Sequence, residues 1–244
     1  MSTPRRVALV TGGARRVGAE IARSFAGRDY DLLLHHGNSP DDAASLATEL
    51  TRQHGVRVEV VQEDLREAEA PARIVDAALT RFGVLDVVVS SASVMEYMAL
   101  DAVTPEHWAH TEAVNLRAPF FLMQAAARVL RDGGVIVQMS DHLAFETLYP
   151  NLIPHQVTKA GVTTLVTTMA AALAPRIRVN AVAPGLVLAP DNMSDAALQK
   201  FLADVPLARS GTPQDVVRAI HYLVDATYVT GEVLRVDGGR HLRR

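Results

Sequence analysis

Short runs of aliphatic and β-branched residues recur along this chain, "RVALV", "DLLL", "VRVEVV", "LDVVV", "GVIVQM", "RIRVNAV" and "VLRVD", and stretches with helical spacing separate them. Uninterrupted apolar runs of this length belong to strands covered on both faces. Val17, Ile21 and Phe25 after the first run fall on one helix face, as do Leu46, Ala47 and Leu50 after the second. Ser39-Pro40, Thr104-Pro105 and Thr212-Pro213 each set a capping hydroxyl before a proline suited to a first helical turn. The alternation predicts an α/β fold: a doubly wound parallel sheet of about seven strands with helices on both faces. Its ligand crevice is expected beyond the carboxyl ends of the strands. No repeat or linker interrupts it, so residues 1–244 are expected to form a single domain with a large core. The segment 184–206 departs longest from the alternation and is a candidate flap over the crevice.

The acidic and basic residues are interspersed and the net charge is only -3. That pattern gives no nucleic-acid footprint and no membrane-binding face, leaving a small molecule as the expected partner. With no cysteine there is no disulfide framework, thiolate nucleophile or sulfur metal site, and the histidines lack a zinc-binding spacing. No run reaches membrane-spanning length and the N-terminus carries no cleavage pattern, so a soluble cytoplasmic protein is expected.

The first run leads into "TGGARRVG", Thr11 to Gly18, and at once into the helix of Ile21 and Phe25. A strand, a glycine turn and a helix N-terminus together make a pyrophosphate cradle, with Gly12 and Gly18 allowing close backbone approach. NAD selection calls for an acidic residue at the end of the second strand, about 20 residues past the glycines. Here the strand ends "LLLHHGNS", and His35, His36, Gly37, Asn38 and Ser39 supply no carboxylate. Arg15 and the amides around Ser39 suit a 2′-phosphate instead, so NADP(H) is the expected cofactor.

A second feature is "LIPHQVTKAG", in which His155 and Lys159 stand four positions apart. On a helix these lie about 40° apart around the axis, so imidazole and ammonium share one face.

With these motifs in hand, the chain resembles the short-chain dehydrogenase/reductase family over essentially its whole length. "TGGARRVG" is followed in the family's order by "EDL", "SSAS", "VNLRAPFF", "PHQVTKAG", "RVNAVAPG" and "VLRVDGG". The resemblance implies a Rossmann-type domain in which Thr11, Gly12, Arg15, Arg16, Val17, Gly18, His36, Asn38, Ser39, Asp64, Leu65, Ser91, Ala92, Lys159, Pro184 and Gly185 bind the cofactor. Asn115 matches the helix-bending asparagine of the proton relay. Within the family the chain looks closest to the pteridine reductases. Arg16 stands where most members have glycine, Asp141 where most carry the catalytic serine, and Ser93 where that subgroup hydrogen-bonds pterin. Arg16, Ser93, Met95, Asp141, His155 and Leu186 are then the implied substrate contacts.

Two positions depart from the pattern. The family's catalytic tyrosine is replaced by His155, and the ring that stacks on pterin by Met95, with Tyr97 two residues out of register. In the family the tyrosine supplies a proton while hydride moves from the nicotinamide, and the lysine holds the ribose. Here Asn115, Asp141, His155 and Lys159 form the expected catalytic set, with a carboxylate able to restore the imidazolium that a neighbouring ammonium disfavours. The expected reaction is NADP(H)-dependent hydride transfer to a C=N or C=O bond of a small substrate such as a pteridine. Two alternatives stand beside it: a ketone or aldehyde reductase, and a non-catalytic NADP(H)-binding sensor or scaffold. Relatives are commonly homotetramers, and the apolar run from Val162 to Leu173 offers a shared face.

Overall fold

The computed structural model describes residues 5–145, 149–189 and 193–242. Each predicted apolar run is a strand: β1 Val7–Thr11, β2 Asp31–His36, β3 Val58–Gln62, β4 Leu85–Ser90, β5 Leu130–Met139, β6 Arg178–Pro184 and β7 Val233–Val236. They form one parallel sheet in the order β3-β2-β1-β4-β5-β6-β7. The order reverses between β1 and β4, which opens the crevice at the carboxyl ends of those two strands.

Alternate residues along each strand feed opposite faces. Leu9, Val88, Ile136 and Val179 point into one core with α3 (Ala70–Phe82), α5 (Ala118–Ala126) and α6 (Ile153–Leu173). Val10, Leu34, Val87 and Val137 point into the other with α1 (Arg16–Ala26), α2 (Pro40–His54) and α8 (Pro213–Asp225). Ile21, Ala22 and Phe25 are the buried stripe of α1, and burying Phe25 alone contributes about 2–3 kcal/mol.

Two of the three predicted caps form. Thr104 accepts from the His107 amide to start α4 (Pro105–Glu112), and Thr212 accepts from the Asp215 amide to start α8. Ser39 makes no side-chain cap: its ψ of 59 departs from the extended backbone, ψ 163 and 159, of the two threonines that do cap. The segment 184–206 is less irregular than its composition suggests. It ends β6 and contains α7 (Asp195–Ala203), capped by Ser194, while residues 190–192 lie outside the described residues. Among the described residues no helix is long and apolar enough to cross a membrane.

Candidate active site

At the carboxyl ends of β1 and β4 lies a cleft of about 770 Å³, within the range of small-molecule sites. The glycine turn forms one wall. Gly12 has φ +62, and a Cβ there would stand 2.9 Å from the Ala92 Cα; a Cβ on Gly18 would stand 2.0 Å from the Gly12 carbonyl oxygen. Both positions therefore admit only glycine, and the turn brings bare backbone to the start of α1. That helix begins without a side-chain cap, leaving its first amides for an anion. Arg16 is a non-glycine residue at φ +50, a conformation costing about 1 kcal/mol, and its guanidinium donates to the Leu188 carbonyl at 3.3 Å.

Of the residues expected to hold cofactor or substrate, Gly12, Arg15, Arg16, Val17, Gly18, Asn38, Asp64, Leu65, Ser91, Ala92 and Ser93 line the cleft. Six expected cofactor residues do not: Thr11, His36, Ser39, Lys159, Pro184 and Gly185. The Thr11 hydroxyl accepts from the Ser91 and Ala92 amides at 3.0 and 3.3 Å, so it ties β1 to the loop after β4. His36 is buried and serves the Ser39 amide, and Ser39 itself is off the wall. The histidine that does line the cleft is His35. It is buried, accepting from the Gly12 amide at 3.3 Å through Nδ1 and donating to the Glu63 carbonyl at 3.0 Å through Nε2. Burial holds its pKa below the ordinary histidine value, which keeps the ring neutral as that bonding requires. His110, whose Nδ1 lies 3.5 Å from Glu96, also reaches the cleft. Strand periodicity alone cannot choose between two consecutive histidines at a strand end, and the register of β2 against β1 and β3 decides it.

The predicted catalytic residues meet beside the Val94 end of this cleft. Between α4 and α5 the helix widens into a π-turn, Ala113–Arg117, that aims Asn115 inward. Its amide donates to the Val94 carbonyl and its carbonyl accepts from the Val94 amide, both at 2.8 Å, and from the Ser93 hydroxyl at 3.1 Å. On α6, His155 and Lys159 share one face as expected and are both buried. His155 Nδ1 donates to the same Val94 carbonyl at 3.0 Å, while Nε2 faces Asp141 Oδ2 at 3.1 Å. Lys159 Nζ donates to the Met139 carbonyl at 2.9 Å.

Asp141 is held from two sides. Its other oxygen is 2.9 Å from His142 Nδ1 and accepts from the Leu143 amide at 2.9 Å. Burial pushes its pKa up, but the hydrogen bonds from His142 and His155 outweigh that, and the carboxyl is held well below the usual range. Burial lowers the Lys159 pKa to about 8, with the Asp141 charge opposing the shift. An acceptor stands against each ring nitrogen of His155, the Asp141 carboxylate at Nε2 and the Val94 carbonyl at Nδ1.

Met95 and Leu186 do not line the cleft. Met95 is exposed, and the Leu186 carbonyl accepts from the Gly211 amide at 2.9 Å. Pro184 accepts from His142 Nδ1 at 3.1 Å, and Gly185 abuts Asp237, whose Cα would lie 2.9 Å from a Cβ at that position. His142 adjoins Asp141 in the substrate loop and could be read from the sequence as a proton donor, but nothing in "SDHLAF" signals that its ring turns back on the preceding carboxylate. Among the described residues no cluster suited to a metal ion occurs.

Residues 12–241 match the family described as Enoyl-(Acyl carrier protein) reductase. The granaticin polyketide synthase putative ketoacyl reductase 2 of Streptomyces violaceoruber is 35% identical over 97% of this chain and 96% of its own length. Versicolorin reductase 1 of Aspergillus parasiticus is 32% identical over 96% and 95%. Among solved structures, a short chain dehydrogenase from Burkholderia cenocepacia J2315 in complex with NADP superposes with a TM-score of 0.92 at 30% identity, covering 98% of both chains.

Proposed function

The chain belongs to the short-chain dehydrogenase/reductase family of oxidoreductases, and from that premise we propose that it reduces a C=O or C=N bond of a small substrate with NADPH. The observation that carries the proposal is the 3.1 Å approach of His155 Nε2 to Asp141 in place of the family's tyrosine. The NADP-bound relative and the carboxylate-free end of β2 both support NADP(H) over NAD(H).

When bound, the nicotinamide supplies the hydride. The chain does the rest. Arg15 and Asn38 receive the 2′-phosphate, and the α1 amides with Arg16 receive the pyrophosphate. Lys159 spends one N–H on Met139 and has two left for ribose hydroxyls. As negative charge develops on the substrate oxygen or nitrogen, the Nε2 proton of His155 is transferred to that atom at the ring edge facing Asp141, opposite the Nδ1 bond to Val94. His155 keeps its Nδ1 proton on the Val94 carbonyl and is recharged from solvent past Asp141, whose side chain is 22% exposed.

Two substrate readings rest on different residues. Arg16, Ser93 and Asp141 favour a pteridine. The relatives named as ketoacyl and versicolorin reductases, together with Met95 in place of a stacking ring, favour a ketone. NADPH consumption across matched panels of dihydropterins, ketones and aldehydes tests the proposal, and turnover of any one panel assigns the class. Tight NADPH binding with no oxidation by any panel contradicts the proposal and leaves the binding-only alternative. Assembly as a homotetramer belongs to the same proposal and is read from the mass in solution.

A further inference from the structure

His142 touches three parts of the molecule at once. Its Nδ1 stands 2.9 Å from Asp141 Oδ1 and 3.1 Å from the Pro184 carbonyl at the end of β6, so one N–H is shared between the candidate catalytic carboxylate and the strand leading into the flap. Its ring meets Phe201 of α7 edge-on, with centroids 6.0 Å apart. Phe201 is gripped on another side by Arg240, whose guanidinium lies 4.0 Å from the ring centroid, donates to the Phe201 carbonyl at 3.2 Å and reaches the Tyr149 hydroxyl at 2.9 Å. Arg240 is almost fully buried, so this grip is part of the packed interior rather than a surface contact. A continuous path of contacts therefore runs from the C-terminal segment through the flap helix to Asp141.

We propose that His142 is a positioning residue that fixes the Asp141 carboxylate for His155, and that it holds this orientation only while Phe201 of α7 is seated against its ring. Seating the flap helix and arming the proton donor thereby become one event. The inference rests on the reading of Asp141 and His155 as the proton-delivery pair. The other groups that act on Asp141 are Lys159 on α6 and Tyr97 in the loop after β4, besides His155 itself. Neither Lys159 nor Tyr97 is altered by the variants below, so a change in Asp141 reports on His142.

The test is the titration of the Asp141 carboxyl, followed by carbon-13 NMR of aspartate-labelled full-length protein with NADP+ bound, Asp141→Asn identifying the resonance. His142→Leu removes the N–H donor, and the midpoint is expected to rise by about one pH unit, with the acid limb of kcat moving alongside it and KM for NADPH unchanged. His142→Asn, whose amide nitrogen falls where Nδ1 stood, is expected to recover most of the change. Phe201→Ala leaves His142 in place but unseats it, and should shift the midpoint in the same direction. An unmoved midpoint and acid limb in His142→Leu overturn the proposal, and a shift in that variant with none in Phe201→Ala overturns the part given to the flap. Should His142→Leu fail to fold, His142→Phe, which keeps a ring against Phe201 but gives no N–H, takes its place with the same expected and overturning results. Undiminished turnover by Asp141→Asn defeats the proton-delivery reading instead, and the titration distinguishes that result because it needs no turnover.

Discussion

The imidazole of His155 and the carboxylate of Asp141 lie edge to edge at 3.1 Å, and the opposite nitrogen of the ring is bound to the Val94 carbonyl at 3.0 Å. A phenol in the same slot would need one partner; the imidazole needs two, and the fold provides both. The loop after β4 supplies the carbonyl because Asn115, aimed by the π-turn, pins Val94 through its amide and carbonyl together. The end of β5 supplies the carboxylate. Replacement of tyrosine by histidine is thus matched by surroundings that satisfy histidine.

Lys159 gives the first prediction. Its pKa in the cofactor-free protein is lowered by burial from 10.5 to about 8. The unfolded chain therefore binds more protons between about pH 8 and 10.5, and the stability of the apo protein should rise with pH across that window and be flat below it. NADPH affinity should move the other way, falling as pH rises through about 8, because the ammonium aimed at the ribose loses its charge. Lys159→Met should stabilise the apo protein at pH 7 by roughly 1–3 kcal/mol and remove both dependences. Thermal melts and NADPH titrations at successive pH values measure them.

Cofactor choice gives the second. Arg15 is the cation proposed to face the 2′-phosphate, and it makes an exposed pair with Asp42 at 3.6 Å. Arg15→Ala should lower NADPH affinity by about 10- to 100-fold with little change for NADH, as loss of one charge-assisted contact demands. Asp42→Asn should raise NADPH affinity by about two- to fivefold, since an exposed pair of this kind contributes little but competes for the same guanidinium. Parallel NADPH and NADH binding isotherms measure both.

Arg16 gives the third. Glycine occupies φ +50 without the penalty that arginine bears there, so Arg16→Gly should stabilise the protein by about 0.5–1 kcal/mol. The same change removes the bond to Leu188 and a cation from the cleft, so NADPH affinity should fall as the melting temperature rises. Opposite signs from one substitution separate strain held for function from strain without a use.

The fold was legible because the central strands β1, β4 and β6 are nearly continuous buried runs and α1 and α8 each have one apolar face, the alternation expected of a parallel sheet covered on both sides. The glycine turn was legible for the same local reason, since Gly12 and Gly18 answer to contacts within the turn and the adjoining loop. His155 and Lys159 could be paired from spacing alone. What escaped was set by tertiary placement: His35 rather than His36 on the cleft wall, Thr11 as a tie between β1 and the next loop, the ring of His110 turned toward the cleft, and the hold of His142 on the preceding carboxylate. Ser39 fails to cap with its backbone at ψ 59, a conformation that no helix-start signature encodes.

The most direct test of the central claim is single-turnover hydride transfer by His155→Phe loaded with NADPH, using whichever substrate the native protein reduces. Phenylalanine fills the slot but gives neither N–H, so NADPH should bind as in the native protein while the rate falls by about 10²- to 10⁴-fold, the share a positioned general acid contributes. A rate equal to that of the native protein contradicts the account.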